Sequence, residues 1–201
     1  MTIRPGEEWG RFVERPAGLR TVHSDRELAT VLDDPTPVAL RGGDLYMTLG
    51  ARPALCGDRV LALPVDVLEV SIDGGPTTAA VAHVVLRSPW WRGGPLRGPL
   101  VMVMNAEFLG RWDVAPRGHP NDGRAEVLSC EASFGVRDRL AARRRLPSGT
   151  HLPHPGIATR SVRRADWAFR RAVEVVADGA RLGRGRSVEV AVRPDAAVVH
   201  V

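Results

Sequence analysis

Lysine is absent from this chain: all 28 of its basic residues are arginine. A Schiff-base lysine, a lysine general base and a phosphate-loop lysine are therefore excluded. Cysteine is scarce as well. Cys56 and Cys130 have no ligand-like spacing, so they read as two buried thiols of a reducing compartment. Nothing in the spacing supports a disulfide between them. Apolar runs stay under ten residues, too short for a membrane-spanning helix. The opening stretch MTIRPGEEWGRF carries acid and lacks an apolar leader core, which predicts no secretory signal. A Ser/His/Asp nucleophile motif, a Cys/His zinc pattern and a nucleic-acid-binding motif are all missing.

What is present suits a globular protein. At 201 residues, 44% of them hydrophobic, the chain can bury a real core as one large domain or two small ones. Gly 21 and Pro 16 are scattered along it, which predicts many turns and short strands. The net charge of +5 is weighted toward the C-terminal half by Arg143–Arg145, Arg163–Arg164, Arg170–Arg171 and Arg181–Arg186. Such clusters suit nucleic acid, anionic lipid or phosphate. Interleaved with Asp and Glu, they also read as a solvated face, the commoner case.

Local signals give the elements. Ser24 with Glu27 three residues on is a capping box, and predicts a short helix to Asp33. Pro37–Leu40 predicts a strand, Arg41-Gly42-Gly43-Asp44 a sharp turn, and Tyr46–Leu49 one helical turn. From Val60 the pattern is β: Val60–Leu63, Val65–Ile72, Thr78–Arg87, Leu100–Met104, Arg124–Ser129, Ile157–Trp167 and Ala172–Val176. Asp73-Gly74-Gly75 and Asp178-Gly179 are turn signals. Val136–Arg145 predicts a helix, and Ser187–Val192 with Ala197–Val201 a closing hairpin across Arg193-Pro194-Asp195. The expected architecture is mainly β (α+β): an antiparallel β-sandwich over residues 60–201, with a small α/β unit over residues 1–59.

The stretch over residues 105–128, NAEFLGRWDVAPRGHPNDGRAEVL, is the most ordered loop in composition. A strand leads into Asn105; Gly110, Ala115-Pro116 and Asp122-Gly123 follow; then a strand resumes. Further on come Val136–Arg145, His151-Leu152-Pro153-His154 and Asp178-Gly179. That order resembles the C-terminal β domain of bacterial diacylglycerol kinase-like lipid kinases over about Val60–Val201. The resemblance implies a lipid pocket in the β half, and a nucleotide loop of the Gly-Gly-Asp-Gly-Thr kind in a preceding α/β domain. Here Arg41-Gly42-Gly43-Asp44 resembles that loop, but Leu45 and Tyr46 replace its Gly and Thr. About forty residues precede it, where a nucleotide domain would need on the order of a hundred. The family's closing Asp-Gly-Glu is Asp178-Gly179-Ala180, and alanine cannot take a proton from a hydroxyl.

The expectation is a diacylglycerol kinase-like protein without complete ATP-dependent kinase activity, its residues 1–59 a truncated nucleotide-binding domain, which binds a lipid, another amphiphile or a partner. A minimal lipid phosphotransferase is the second reading; Asp44, Asp122 and Asp178 would be its catalytic acids, with Mg²⁺ and ATP required only in that case. A structural dimerisation module, a homodimer, is the third. For ligand binding the candidates are Gly42, Gly43, Asn105, Trp90, Trp91 and Arg92. Two glycines let backbone N–H groups approach an anion, and tryptophans beside arginine suit a bilayer interface, a lipid head group or a partner. The tryptophan pair equally suits one ring capping the core. Asp122 is the candidate metal ligand, with a turn as the competing role. His119 is a candidate partner for it, His151 and His154 suit a surface loop, and His83 suits a satisfied core. The expected place is cytoplasmic, at the membrane periphery if lipid is the ligand.

Overall fold

A computed structural model describes residues 9–50, 58–130 and 133–201. The strands are β1 (Arg11–Glu14), β2 (Arg20–Val22), β3 (Val38–Leu40), β4 (Arg59–Ile72), β5 (Thr78–Ala80), β6 (His83–Arg87), β7 (Leu100–Met104), β8 (Phe108–Leu109), β9 (Trp112–Asp113), β10 (Ala125–Cys130), β11 (Ile157–Val162), β12 (Arg164–Ala177) and β13 (Ala180–His200). Three helices, α1 (Asp25–Thr30), α2 (Asp44–Thr48) and α3 (Val136–Arg145), complete the set, with 3-10 turns at Trp90–Arg92, Gly94–Leu96 and Leu146–Ser148.

The molecule is mainly antiparallel β. One sheet of eleven strands runs β1-β4-β13-β12-β6-β7-β10-β11, with β5 on β4 and the parallel pair β2–β3 joined to β13; β8–β9 is a separate ribbon. Asp-Gly turns close two of its hairpins. Asp73 and Gly74, and again Asp178 and Gly179, all have positive φ (51°, 70°, 46° and 76°). That conformation matches the twist of the flanking strands.

β4 tolerates a proline because of register. Leu61 and Val201 exchange both backbone hydrogen bonds. Alternation then turns the nitrogen of Pro64 away from β13, to the side where β1, paired only as far as Ala62, has already ended. The two predicted strands Val60–Leu63 and Val65–Ile72 are consequently one.

The predicted hairpin across Arg193-Pro194-Asp195 does not form. Both halves pair with β4, Val188–Arg193 against Val67–Ile72 and Ala197–His200 against Ala62–Val65, so β13 is a single strand with a bulge. The bulge is held by a residue that the apolar run around it hides: Asp66, fully buried, accepts from Asp195 N–H (2.9 Å) and Gly123 N–H (2.7 Å). Asp195 itself has φ 52°. An extra loop of residues is absorbed because a buried carboxylate satisfies its backbone.

Two large apolar clusters lie along this sheet. Val22, Leu28, Leu40 and Leu45 pack with Leu63, Val65 and Val199; Leu68, Leu86, Val103, Val127, Val175 and Val190 form the other. Helix α1 opens as its capping box predicts. Ser24 Oγ accepts from Glu27 N–H (3.1 Å), while Glu27 reaches back to His23 N–H (2.8 Å). It ends at Thr30, three residues short of the predicted limit. Helix α3 coincides with its prediction. Cys130 is a free, buried thiol, and Cys56 lies outside the described residues.

Candidate functional site

The site is built from four short segments that meet below α2. Strand β3 ends at Leu40, and Gly42-Gly43 carries the chain into α2. Gly43 has φ 98°, and a Cβ there would stand 2.4 Å from Asp25 Oδ1. The reason is that Asp25, from the first turn of α1, fills the space in front of α2. Its carboxylate accepts from Asp44 N–H (2.6 Å) and Leu45 N–H (3.1 Å). Those are the backbone donors that a glycine loop followed by a helix would offer to a phosphate. Asp25 is only 5% exposed. Burial drives its pKa up from 3.8 to about 7, the two backbone hydrogen bonds oppose this, and the charges of Asp178 and Asp44 add to it.

Asp44, which follows Gly43, points the other way. Its Oδ1 accepts from Gly110 N–H (2.6 Å), and its Oδ2 lies 3.3 Å from His83 Nδ1. That contact has ion-pair distance without hydrogen-bond alignment. Asp178 also reaches this spot: Oδ2 accepts from Val81 N–H (2.8 Å), Oδ1 from Ala82 and His83 N–H (both 3.0 Å). This is why the predicted Thr78–Arg87 strand breaks into β5 and β6 at Val81-Ala82. Asp44 thus stands beside the His83 imidazole, while Asp178 holds the His83 backbone. Burial lowers the His83 pKa, and the two carboxylates oppose that.

His83 also lines a cavity of about 380 Å³. Its wall is apolar, with Met102, Leu109, Trp112, Leu128 and Phe134 among its side chains, and Arg87, Arg139 and Arg143 also border it. The arginines are held in place. Arg139 donates to the carbonyls of Phe134, Pro95 and Gly98, Arg87 pairs with Glu174 (3.0 Å), and Arg143 stacks over Trp112. Trp90 also lines the cavity and carries Arg87 over its ring at 4.7 Å. Trp91 carries Arg184 at 4.1 Å. Both tryptophans are exposed, 62% and 64%, and Arg92 beside them is exposed too. Neither ring caps the core.

The remaining candidates stand elsewhere. Asn105 is buried, its Nδ2 donating to Asp66 O (2.9 Å) and Val81 O (2.8 Å), so it ties β4 to the segment before β6. Asp122 accepts from Arg124 N–H (2.9 Å) in a local turn; burial raises its pKa. Asp122 is grouped with Asp66 and His119, away from Asp44 and Asp178. His119 Nδ1 accepts from Asn121 N–H (3.2 Å), so its backbone partner precedes any bond to Asp122. Among the described residues, no group of three or more His, Cys, Asp or Glu is placed to hold a metal ion.

Sequence reasoning missed three residues here. Asp25 has no signal beyond a helix first turn. His83 sits in an apolar run that reads as core. His151 is buried rather than on a surface loop; Nε2 lies 3.1 Å from Val114 O, and burial lowers its pKa.

No protein-family model matches the sequence, and no curated protein matches it. Solved structures do match. A diacylglycerol kinase from Bacillus anthracis str. Sterne superposes with a TM-score of 0.62 at 14% identity, over 90% of this chain and 75% of its own. Two further structures from that organism, provisionally assigned as diacylglycerol kinases, give 0.65 at 14% and 0.64 at 16%, each over 90% of this chain and 77% of theirs. The chain has a diacylglycerol kinase-like fold. In this fold Asp44 and Asp178, far apart in sequence, both meet His83. At 14–16% identity the likeness carries the fold and not the roles of individual residues.

Proposed function

We propose that this diacylglycerol kinase-like protein binds an amphiphile in the cavity beside His83 and lacks complete ATP-dependent phosphotransfer. The observation that carries the reading is the cavity itself, apolar along its wall and bordered by three arginines. Sites of this size, with few convergent polar groups, suit one chain of a small ligand. The arginines suit contact with an anionic membrane surface. The exposed Trp90-Trp91 turn, with arginine over each ring, supports work at a membrane periphery.

The described residues do not fit a magnesium nucleotide. The backbone donors after Gly43 are taken by Asp25. A triphosphate would have to displace a buried carboxylate from a site where further negative charge is already opposed by Asp44 and Asp178. This supports reading residues 1–59 as the remnant of a nucleotide-binding domain. No step through ATP or Mg²⁺ follows from the residues.

The test is a fluorescence titration with a pyrene-labelled monoacylglycerol. Saturable binding is expected, with loss in Met102→Trp, which fills the cavity. Absence of saturable binding by a folded wild-type protein would sink the proposal. A second reading, a minimal lipid phosphotransferase, is favoured by one observation: Asp44 and Asp178 are brought together around His83. Transfer of labelled phosphate from ATP to a lipid by the wild type, lost in Asp44→Asn, would establish it instead.

A further inference from the structure

We propose that His83 is the residue that reads the ligand: its Nε2 accepts a hydrogen bond from the hydroxyl of an uncharged amphiphile whose chain fills the cavity. This rests on the amphiphile-binding reading above, and adds which polar group the ligand carries.

His83 is committed to protein at two points. Its backbone N–H goes to Asp178, and its Nδ1 is sealed against solvent 3.3 Å from Asp44 Oδ2. A lone pair on Nδ1 would stand 3.3 Å from a carboxylate oxygen, so the proton of the neutral ring belongs on Nδ1. The lone pair is then on Nε2, on the far edge of the ring from Asp44. Nε2 bonds to no described residue, and His83 lines the cavity. An apolar wall therefore presents one acceptor, and an acceptor selects a donor. An alcohol has one; an ether does not. A carboxylate has none either, and would add a negative charge beside Asp44 and Asp178. His151, the other imidazole on this wall, does not compete. Its Nδ1 is sealed and its Nε2 is engaged with Val114 O.

The test is calorimetric titration of the full chain with three probes of equal chain length: dodecanol, its methyl ether and dodecanoate. Wild type is expected to bind the alcohol about ten-fold tighter than the ether, the worth of one buried hydrogen bond, and dodecanoate weakest. His83→Leu is expected to bind alcohol and ether alike, at the wild-type ether affinity. In parallel, a nitrogen-15 imidazole spectrum of the wild type should show a proton on His83 Nδ1, and a shift of His83 Nε2 on adding dodecanol but not the ether. That spectrum decides the matter if the leucine variant does not fold. Equal wild-type affinities for alcohol and ether, or an unmoved Nε2 signal at saturation, overturn the role of His83 and leave the amphiphile site standing. No binding of any probe overturns both.

Discussion

At the scale of residues, two buried carboxylates, Asp25 and Asp178, satisfy backbone donors from distant segments. Asp25 replaces an external anion with an internal one, and its folded pKa of about 7 stands above its ordinary value of 3.8. Between those values the folded chain holds a proton that the unfolded chain has released. Its contribution to stability is therefore fully present below about pH 4 and is lost as pH rises through 7. Asp25→Asn should remove this decline, so that the difference in unfolding free energy between variant and wild type grows from pH 4 to pH 7. Urea denaturation across that range checks it; parallel curves would show that Asp25 does not titrate there. Asp178 holds three backbone N–H groups at one strand break. Asp178→Ala should cost at least about 3 kcal/mol of stability, because each buried donor left unpaired costs on the order of 1–3 kcal/mol. A loss under about 1 kcal/mol, on the same scale of hydrogen-bond energies, would mean that water or a shifted loop replaces the carboxylate.

At the scale of elements, what the sequence reveals divides along a physical line. Signals carried by neighbours in the chain are legible: the Ser24–Glu27 box, the Asp-Gly turns, the β-prone runs of β7 and β10, and α3 to its last residue. Signals carried by distant partners are not. Pro194 and Asp195 look like a turn because the carboxylate that straightens them, Asp66, lies 129 residues away. The break after Ala80 depends on Asp178, and the closed Gly42-Gly43 loop on Asp25. The same holds for the candidate site. Asp44 and Asp178 are visible as motif residues, but their meeting at His83, and the cavity beyond it, arise only in three dimensions. The Trp90–Arg92 turn is an element whose exposure has a consequence. Trp90→Ala with Trp91→Ala should reduce partition onto vesicles containing an anionic lipid several-fold, with little change in unfolding midpoint. Co-sedimentation measures the first and thermal denaturation the second. Unchanged partition would remove the turn from any membrane contact.

At the scale of the whole molecule, one sheet carries both ends of the chain's chemistry. Strands β2 and β3 join β13, so the glycine loop hangs from the same framework as the cavity-lining β6 and β7. No helix among the described residues is long and apolar enough to cross a membrane. The fold is diacylglycerol kinase-like across 90% of the chain, and the backbone N–H groups of Asp44 and Leu45 are bonded to Asp25. The central claim is that this framework keeps an amphiphile site and has closed its nucleotide loop. Calorimetric titration of the wild-type chain with Mg-ATP tests that most directly. No saturable heat is expected at millimolar nucleotide; binding in the micromolar range would show that the loop still takes a nucleotide.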